Sequence, residues 1–406
     1  MNCRFCKASL NNLFIDLVNS PASNSFLTKE GLNEPEIFYP LKVYVCDTCK
    51  LVQIEEYKKS NDIFDKDYAY FSSFSTSWLT HAKNYVEMIS KKLSLNKKSL
   101  VTEIASNDGY LLQYFKEKNI SCIGVEPTRS TAKVAKEKGI NVIEDFFCSN
   151  LAKLLDKSDL ILGNNVLAHV PNINDFVKGL KIALSDSGTI TMEFPHILNI
   201  IQKNQFDTIY HEHFSYFSLY TVHQIFEKQG LKLYDVEKLS THGGSLRIYA
   251  THVENNDITC SFNVDTILDE EKKFGLFKMD IYKNFQENAN KVKYDLLDFL
   301  LECKKSNKKV IAYGAAAKGN TLLNYAGVKN NLIEFVVDKS PYKQGKYLPG
   351  SHIPIVNETK IKEYKPEYIL ILPWNIKDEI MDQLSYIKEW DGKLVVAVPE
   401  LKIKQI

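Results

Sequence analysis

No stretch of this 406-residue sequence approaches the roughly 18 uninterrupted apolar residues of a membrane span. The opening MNCRFCKASL lacks the apolar core of a signal peptide. A cytoplasmic protein with no membrane partner is therefore expected. Charge of one sign is missing too: the formal net charge is +1, without long like-charge runs, which argues against a nucleic-acid-binding surface and leaves room for a small anionic substrate. There is no internal repeat of fixed short period and no low-complexity tract. Neither of the two candidate nucleotide loops carries G-x-G-x-x-G, which counts against a nicotinamide-dependent dehydrogenase.

The length is too great for one ordinary core, so two or three domains are expected. Of eight cysteines, four are paired at short spacing, Cys3 with Cys6 and Cys46 with Cys49. A two-residue spacer folds into a tight turn that aims both sulfurs at one point, so two such pairs suit a tetrahedral Zn²⁺. Two unrelated turns with free thiols are the plainer reading. A closed four-thiolate site leaves no open coordination position, so the expected metal is structural and not a catalyst. The scattered Cys122, Cys148, Cys260 and Cys303 read as small buried hydrophobes.

Pattern divides the chain further. Residues 1–65 read as short strands and loops that bury little core, an N-terminal zinc-binding domain. From 66 to 255 helix and strand alternate: TSWLTHAKNYVEMISKKL is amphipathic, and SLVTEIASND, SCIGVEPT, DLILGNN and GTITMEFP are buried strands. Parallel strands with crossover helices follow from that alternation. Residues 256–305 read as a helical connector. Residues 306–406 open a second βα series with KVIAYGAAAKGNT, EFVVDKS, YILILPWN and LVVAVPE, a smaller Rossmann-like domain. The fold class is α/β.

VTEIASNDGYLLQYF sets a buried strand, a turn of small residues and a helix in succession, which lets a ligand approach the backbone at a strand's carboxyl end. Glu103, Ala105, Asn107 and Gly109 are the candidate contacts on this loop. Seventeen residues after Gly109 a strand ends in Glu126, an acid able to grip a ribose diol. Asp145 and Phe146 offer a polar and stacking pair for adenine, and Asn164 with Asn165 end a third strand. An adenosine-containing cofactor suits this order.

FDTIYHEHFSYFS packs Tyr210, His211, Glu212 and His213 into four consecutive residues. A surface loop or an HxH metal pair would account for it, but histidine titrates near neutrality and is the usual proton-transfer group, which points to catalysis. THGGSLR offers paired glycines for close backbone approach, with His242 and Arg247. GAAAKGNT offers small residues, Lys318 and Asn320 where a helix N-terminus would suit a diphosphate.

The order of loop, ribose acid and adenine-side acid resembles the class I S-adenosylmethionine-dependent methyltransferases, although EIASNDG departs from the commoner GxGxG loop. Together with the paired CxxC, YAYFSSFSTSW, NNVLAHV, YHEHFSYFS, THGGSLR and GAAAKGNT, the chain resembles the sugar C-methyltransferases acting on nucleotide-linked 4-keto-6-deoxyhexoses. That resemblance implies a zinc-binding domain, a central Rossmann-like methyltransferase domain and a C-terminal domain. It implies S-adenosyl-L-methionine as cofactor, structural Zn²⁺, and a nucleotide-diphosphate keto-sugar as substrate. It also implies His213 or a neighbour as base, with Tyr210, Glu212, His169 and Tyr70 lining the sugar pocket. A ketone at C4 acidifies the hydrogen on C3, so an imidazole can remove it while donors stabilise the enolate. An O- or N-methyltransferase and a non-catalytic zinc-containing binding protein are the rival readings. A monomer or weak homodimer is expected.

Overall fold

The computed structural model describes residues 1–59 and 71–405. In chain order the strands are β1 (Asn12–Ser20), β2 (Tyr39–Val45), β3 (Val52–Ile54), β4 (Leu100–Ile104), β5 (Ser121–Val125), β6 (Asn141–Ile143), β7 (Ser158–Asn164) and β8 (Leu184–Pro195). They continue as β9 (Ser215–Tyr216), β10 (Leu231–Leu239), β11 (Ser245–His252), β12 (Val310–Tyr313), β13 (Val336–Val337), β14 (Ile355–Val356), β15 (Tyr368–Ile371), β16 (Lys393–Val396) and β17 (Lys402–Lys404). They form three sheets. This is the α/β architecture expected from the alternating pattern. No helix among the described residues is long and apolar enough to cross a membrane.

The first sheet runs β1-β2-β3-β9, all antiparallel. On β2 every second side chain, Leu41, Val43 and Val45, points inward, the period of a half-buried strand. The β-rich N-terminal segment would still be short of core on its own, and the deficit is met from elsewhere. Phe14 of β1 stacks on Phe285 at 4.6 Å, at the start of the helix Phe285–Lys305. Burying each ring stabilises by about 1.5–3 kcal/mol. The stretch read as a connector thus supplies core to the N-terminal sheet and to the third sheet alike. The fourth strand, β9, follows directly on YHEHF, so its pairing of Tyr216 with Val52 draws that polar segment into the interior.

The second sheet has the order β10-β11-β8-β7-β4-β5-β6, parallel except that β11 runs against both its neighbours. The chain enters at β4, builds outward through β5 and β6, then returns to the other side through β7 and β8. That reversal makes a switch point between β4 and β7, where open α/β sheets bind ligands beyond the carboxyl ends of their strands. The third sheet, β14-β13-β12-β15-β16-β17, repeats the plan with a switch point between β12 and β15 and one antiparallel edge strand.

An acid closes the first turn in both sheets. Glu126, after β5, accepts the backbone N–H of Asn107 at 2.8 Å and of Thr128 at 2.9 Å. Asp338, after β13, likewise accepts the N–H of Ala315 and of Ser340, each at 2.8 Å. A carboxylate with two oxygens can satisfy two loop donors at once, which ties the loop after one strand to the loop after its neighbour.

Candidate active site

The four paired cysteines meet in space. Their sulfurs all lie within 4.8 Å of one another, with Cys3–Cys49 at 3.6 Å and Cys6–Cys46 at 3.5 Å. A tetrahedral ion with Zn–S of about 2.3 Å holds its sulfurs about 3.8 Å apart, so the donor set fits Zn²⁺. The two turns are copies of one another. In each, the residue four after the first cysteine has positive φ (Lys7, 68°; Lys50, 62°) and donates its N–H to that cysteine's carbonyl. The cysteine N–H is in turn accepted by the carbonyl five residues on, Ala8 or Leu51. Gln53 Nε2 donates to Cys3 Sγ at 3.2 Å, an outer contact of the kind that orients metal ligands. Of the other cysteines only Cys303 is buried; Cys260 is exposed and Cys148 lines the cavity described next, because it follows the loop after β6 and not a strand interior.

Both switch points open into one cavity of about 1010 Å³. That is at the upper end of the range for a single drug-sized ligand. From the second sheet Ala105, Asn107, Glu126, Asp145, Phe146, Asn164 and Asn165 line it. Ala105, Asn107 and Asn165 all have left-handed backbone, with φ of 55°, 50° and 57°, so the loops after β4 and β7 turn sharply at the strand ends. Burial pushes the Glu126 carboxyl up, while the backbone donors oppose it. Trp78, His81, Tyr110 and His242 form an aromatic wall, with Trp78 stacked on His81 at 4.9 Å and edge-on to His242 at 5.1 Å. His242 accepts from Asn165 Nδ2 at 2.8 Å, and burial holds its pKa down at about 4.

The histidine segment is not a surface loop, and its two histidines turn to different partners, His211 to the Pro40 carbonyl and His213 to Thr208 and Tyr210. His211, Glu212 and His213 are 3%, 3% and 8% exposed. Among the described residues the four cysteines are the one group of His, Cys, Asp or Glu that could hold a metal. His213 Nδ1 donates to the Thr208 carbonyl at 2.9 Å, and the Tyr210 hydroxyl donates to His213 Nε2 at 2.8 Å. The first bond fixes the tautomer, so Nε2 carries the lone pair. Burial, reinforced by His169, holds the His213 pKa well below the ordinary range, and the ring is neutral. His169 Nδ1 donates to the Glu212 carbonyl at 2.7 Å, and burial holds that ring at about 4. Tyr210, Glu212, His213 and His169 all line the cavity. His211 does not: it points to the Pro40 carbonyl at 3.2 Å and packs edge-on to Tyr39.

The third sheet contributes Lys318, at the start of the helix Ala317–Ala326. Its Nζ donates to Asn375 Oδ1 at 2.7 Å and lies 4.4 Å over the Trp374 ring, whose Nε1 donates to Asp207 Oδ2 at 2.6 Å. Burial pulls the lysine pKa down, with Asp207 opposing, and burial lifts Asp207 to about 6.

Several expected contacts lie elsewhere. Glu103 is fully buried below the crevice, and burial together with Glu126 and Asp108 holds its carboxyl well above the usual range. Gly109 serves packing: a Cβ there would meet Ile140 Cδ1 at 2.3 Å, and its φ is +74°. Arg247 is clamped between Glu193 at 3.1 Å and Glu237 at 3.4 Å, over the Tyr85 ring, and does not reach the cavity. The glycines of THGGSLR admit Gln205, Trp374 and Asn199, protein neighbours and not a ligand. Asn320 donates to the Ser23 carbonyl at 2.5 Å. Tyr70 lies outside the described residues. Conversely, Asn24, Trp78, His81, Lys343 and Asn375 line the cavity although the sequence did not single them out as site residues; Trp78 closes YAYFSSFSTSW and Asn375 closes YILILPWN. Trp78 and His81 sit on an amphipathic helix where core packing was the natural reading, and Asn24 and Lys343 occupy loops with no motif.

An acid already holding two backbone donors still has a lone pair on each oxygen for a ribose diol. If Glu126 grips a ribose diol, as the sequence order suggests, Glu126→Gln is expected to weaken binding of the adenosine-containing cofactor about tenfold to a hundredfold by calorimetry, because a charge-assisted acceptor is worth about 1.5–3 kcal/mol.

Three protein-family profiles match the chain: a zinc binding domain over residues 3–64, a methyltransferase domain over 80–236 and a C-methyltransferase C-terminal domain over 240–399. The C-methyltransferase NovU of Streptomyces niveus is 31% identical over 408 aligned positions, covering 99% of this chain and 96% of that protein. Among solved structures, an S-adenosylmethionine-dependent methyltransferase from Clostridium acetobutylicum matches at 11% identity and a TM-score of 0.36, over 43% of this chain and 92% of its own. Magnesium protoporphyrin IX methyltransferase from Synechocystis matches at 13% identity and a TM-score of 0.34, over 43% of this chain and 82% of its own. The matches show an enzyme that takes its methyl group from S-adenosylmethionine, and the four-cysteine cluster fits a structural zinc. The chain belongs to the family of S-adenosylmethionine-dependent C-methyltransferases that combine a zinc-binding N-terminal domain with a C-methyltransferase C-terminal domain.

Proposed function

We propose that the enzyme methylates C3 of a nucleotide-linked 4-keto-6-deoxyhexose through an enolate, in deoxysugar biosynthesis. The observation that carries this reading is that the neutral Tyr210–His213 pair opens into the same cavity as the Glu126 crevice. Carbon has no lone pair, so its methylation needs a base that works before transfer; an uncharged imidazole with one oriented lone pair meets that need. S-adenosylmethionine supplies, when bound, a methyl group on an electrophilic sulfonium.

In this reading Glu126, with Asp145 and Phe146, holds the adenosine portion, and Ala105, Asn107, Asn164 and Asn165 line the approach. On substrate binding the Tyr210 hydroxyl turns from His213 Nε2 to the ketone oxygen. The freed Nε2 then takes the C3 proton while Tyr210 stabilises the enolate oxygen. Glu212 and His169 line the sugar pocket, and His242 the wall beside it. Lys318, an incompletely solvated cation at a helix N-terminus, faces the diphosphate, with residues 306–406 contributing to nucleotide-sugar binding. Alignment of the reacting carbons to about 3–3.5 Å supplies the rest of the acceleration.

The test is incubation with S-adenosylmethionine and a panel of nucleotide 4-keto-6-deoxyhexoses, with mass spectrometry and NMR of the products. A new methyl on C3 is expected. A methyl on oxygen or nitrogen, or none with any member of the panel, overturns the reading. Lys318→Met is expected to raise KM for the productive sugar about tenfold to a hundredfold with kcat less affected, since an ion pair to a phosphate is a binding contact.

A further inference from the structure

The acid of the histidine segment is held by a residue from the other end of the chain. Asn24 Nδ2 donates to Glu212 Oε2 at 2.7 Å, and both residues line the cavity. Asn24 belongs to the stretch after β1, where residues 22–26 form a tight turn with Ser25 N–H bonded to the Ala22 carbonyl and Phe26 N–H to the Asn24 carbonyl. The third sheet's domain pins that turn from behind. Asn320 Nδ2 donates to the Ser23 carbonyl, and Leu27 exchanges backbone hydrogen bonds with Tyr347. One side chain from the zinc-bearing segment is thus delivered into the cavity by contacts with the C-terminal domain.

We propose that Asn24 is a positioning residue for methyl transfer: its amide orients the Glu212 carboxyl in the cavity and favours the carboxylate over the acid. This rests on the reading of the cavity as the methyl-transfer site. The physical ground is that a primary amide N–H bonded to a carboxyl oxygen stabilises the charged form, the more so where water is excluded. Burial is the larger influence and lifts the Glu212 pKa to about 7, with the Asn24 side chain and backbone N–H pulling against it. Of the charged groups, Lys58 from the N-terminal segment acts on the carboxyl and favours its charged form, while Tyr210, His169, His213, Lys318 and Lys343 line the same cavity. Asn24→Leu removes the side-chain N–H without altering charge and leaves the Asn24 backbone N–H in place, and the neighbouring His169 and His213 are neutral.

The experiment reads Glu212 directly, with the full zinc-loaded chain and no substrate. In pH-titrated infrared difference spectra, the protonated-carboxyl band missing from Glu212→Gln belongs to Glu212. In the wild type it is expected to titrate near neutrality, and in Asn24→Leu about one pH unit higher, the equivalent of one lost charge-assisted hydrogen bond. The limb of the kcat/KM profile that follows Glu212 moves by the same amount. Calorimetry with S-adenosylmethionine checks that Asn24→Leu is folded; if it is not, Asn24→Ala takes its place, which likewise removes the amide N–H without adding a charge and is expected to move the band upward by a similar amount. A Glu212 band that titrates unchanged in the folded variant overturns the proposal, whatever happens to activity. Failure of the keto-sugar panel would leave the infrared result intact, so the two ideas fail separately.

Discussion

His213→Ala is expected to lower turnover about a thousandfold while leaving S-adenosylmethionine affinity within about twofold of wild type, general-base contributions being roughly 10²–10⁴. The split between the two readouts follows from position. His213 is bonded to Thr208 and Tyr210 and packs edge-on to His169 at 4.8 Å, whereas the Glu126 crevice is built from the loops after β4 and β5. Removing a buried ring also leaves a cavity, which costs on the order of 2–5 kcal/mol of stability for a large-to-small change. Tyr210→Phe separates that packing effect from chemistry, because it keeps the ring and removes only the hydroxyl. It is expected to lose about ten- to a hundredfold in kcat/KM, the value of one preorganised donor to a developing oxyanion at the lower end. Turnover retained in His213→Ala would move the base to His169 or Glu212. His211, turned toward Pro40 and Tyr39, is a poorer candidate.

Metal analysis is expected to find about one zinc per chain, and its removal by a chelator should abolish turnover and lower Tm by about 10 °C or more. The free energy of structural zinc is folding free energy, of order 10 kcal/mol in small metal domains, far above what a few-kcal/mol change needs to shift Tm by this amount. The effect on activity follows from the sheet. β3 begins two residues after Lys50, and it pairs with β9, the strand that draws YHEHF inward. Asn24 hangs from the same N-terminal segment. Loss of the metal should therefore cost methyl transfer more than it costs cofactor affinity, since Glu126 is held by the loops after β4 and β5 and not by the zinc-bearing segment. Zinc-free protein with unchanged Tm and turnover would return the four cysteines to the reading of free thiols in two separate turns. Cys46→Ser, which leaves the loop length alone, is expected to reproduce the chelated behaviour.

The four thiol ligands, the β4 loop and the acid of β5 were legible because each is a local pattern: a tight turn, or a strand ending at its carboxyl edge. Lys318 was legible for the same reason, as a residue in the first turn of a helix after a strand. Arg247 and Asn320 have partners within the protein, Glu193 and Ser23, and a cation or an amide in a glycine-rich or alanine-rich loop looks the same in sequence whether its partner is a substrate or the protein itself. Glu103 shows the converse, an acid at the right sequence position that sits one layer too deep. The connector helix was read as a spacer, yet its apolar face is shared core for two sheets, and only the partners of Phe285 reveal that.

By itself the sequence determined the class of each segment: strand and helix periods, cysteine spacing and the order of loops all act within a few residues, where steric and hydrogen-bonding rules are local. Tertiary structure alone decided that two switch points share one cavity and that β9 carries the histidines inside. It alone decided which nitrogen of His213 keeps its lone pair, and that an asparagine near residue 24 faces an acid at 212. Those are contacts across more than a hundred residues of chain or choices among hydrogen-bond partners. Their free energy depends on burial and on the neighbour supplied, neither of which a linear pattern contains.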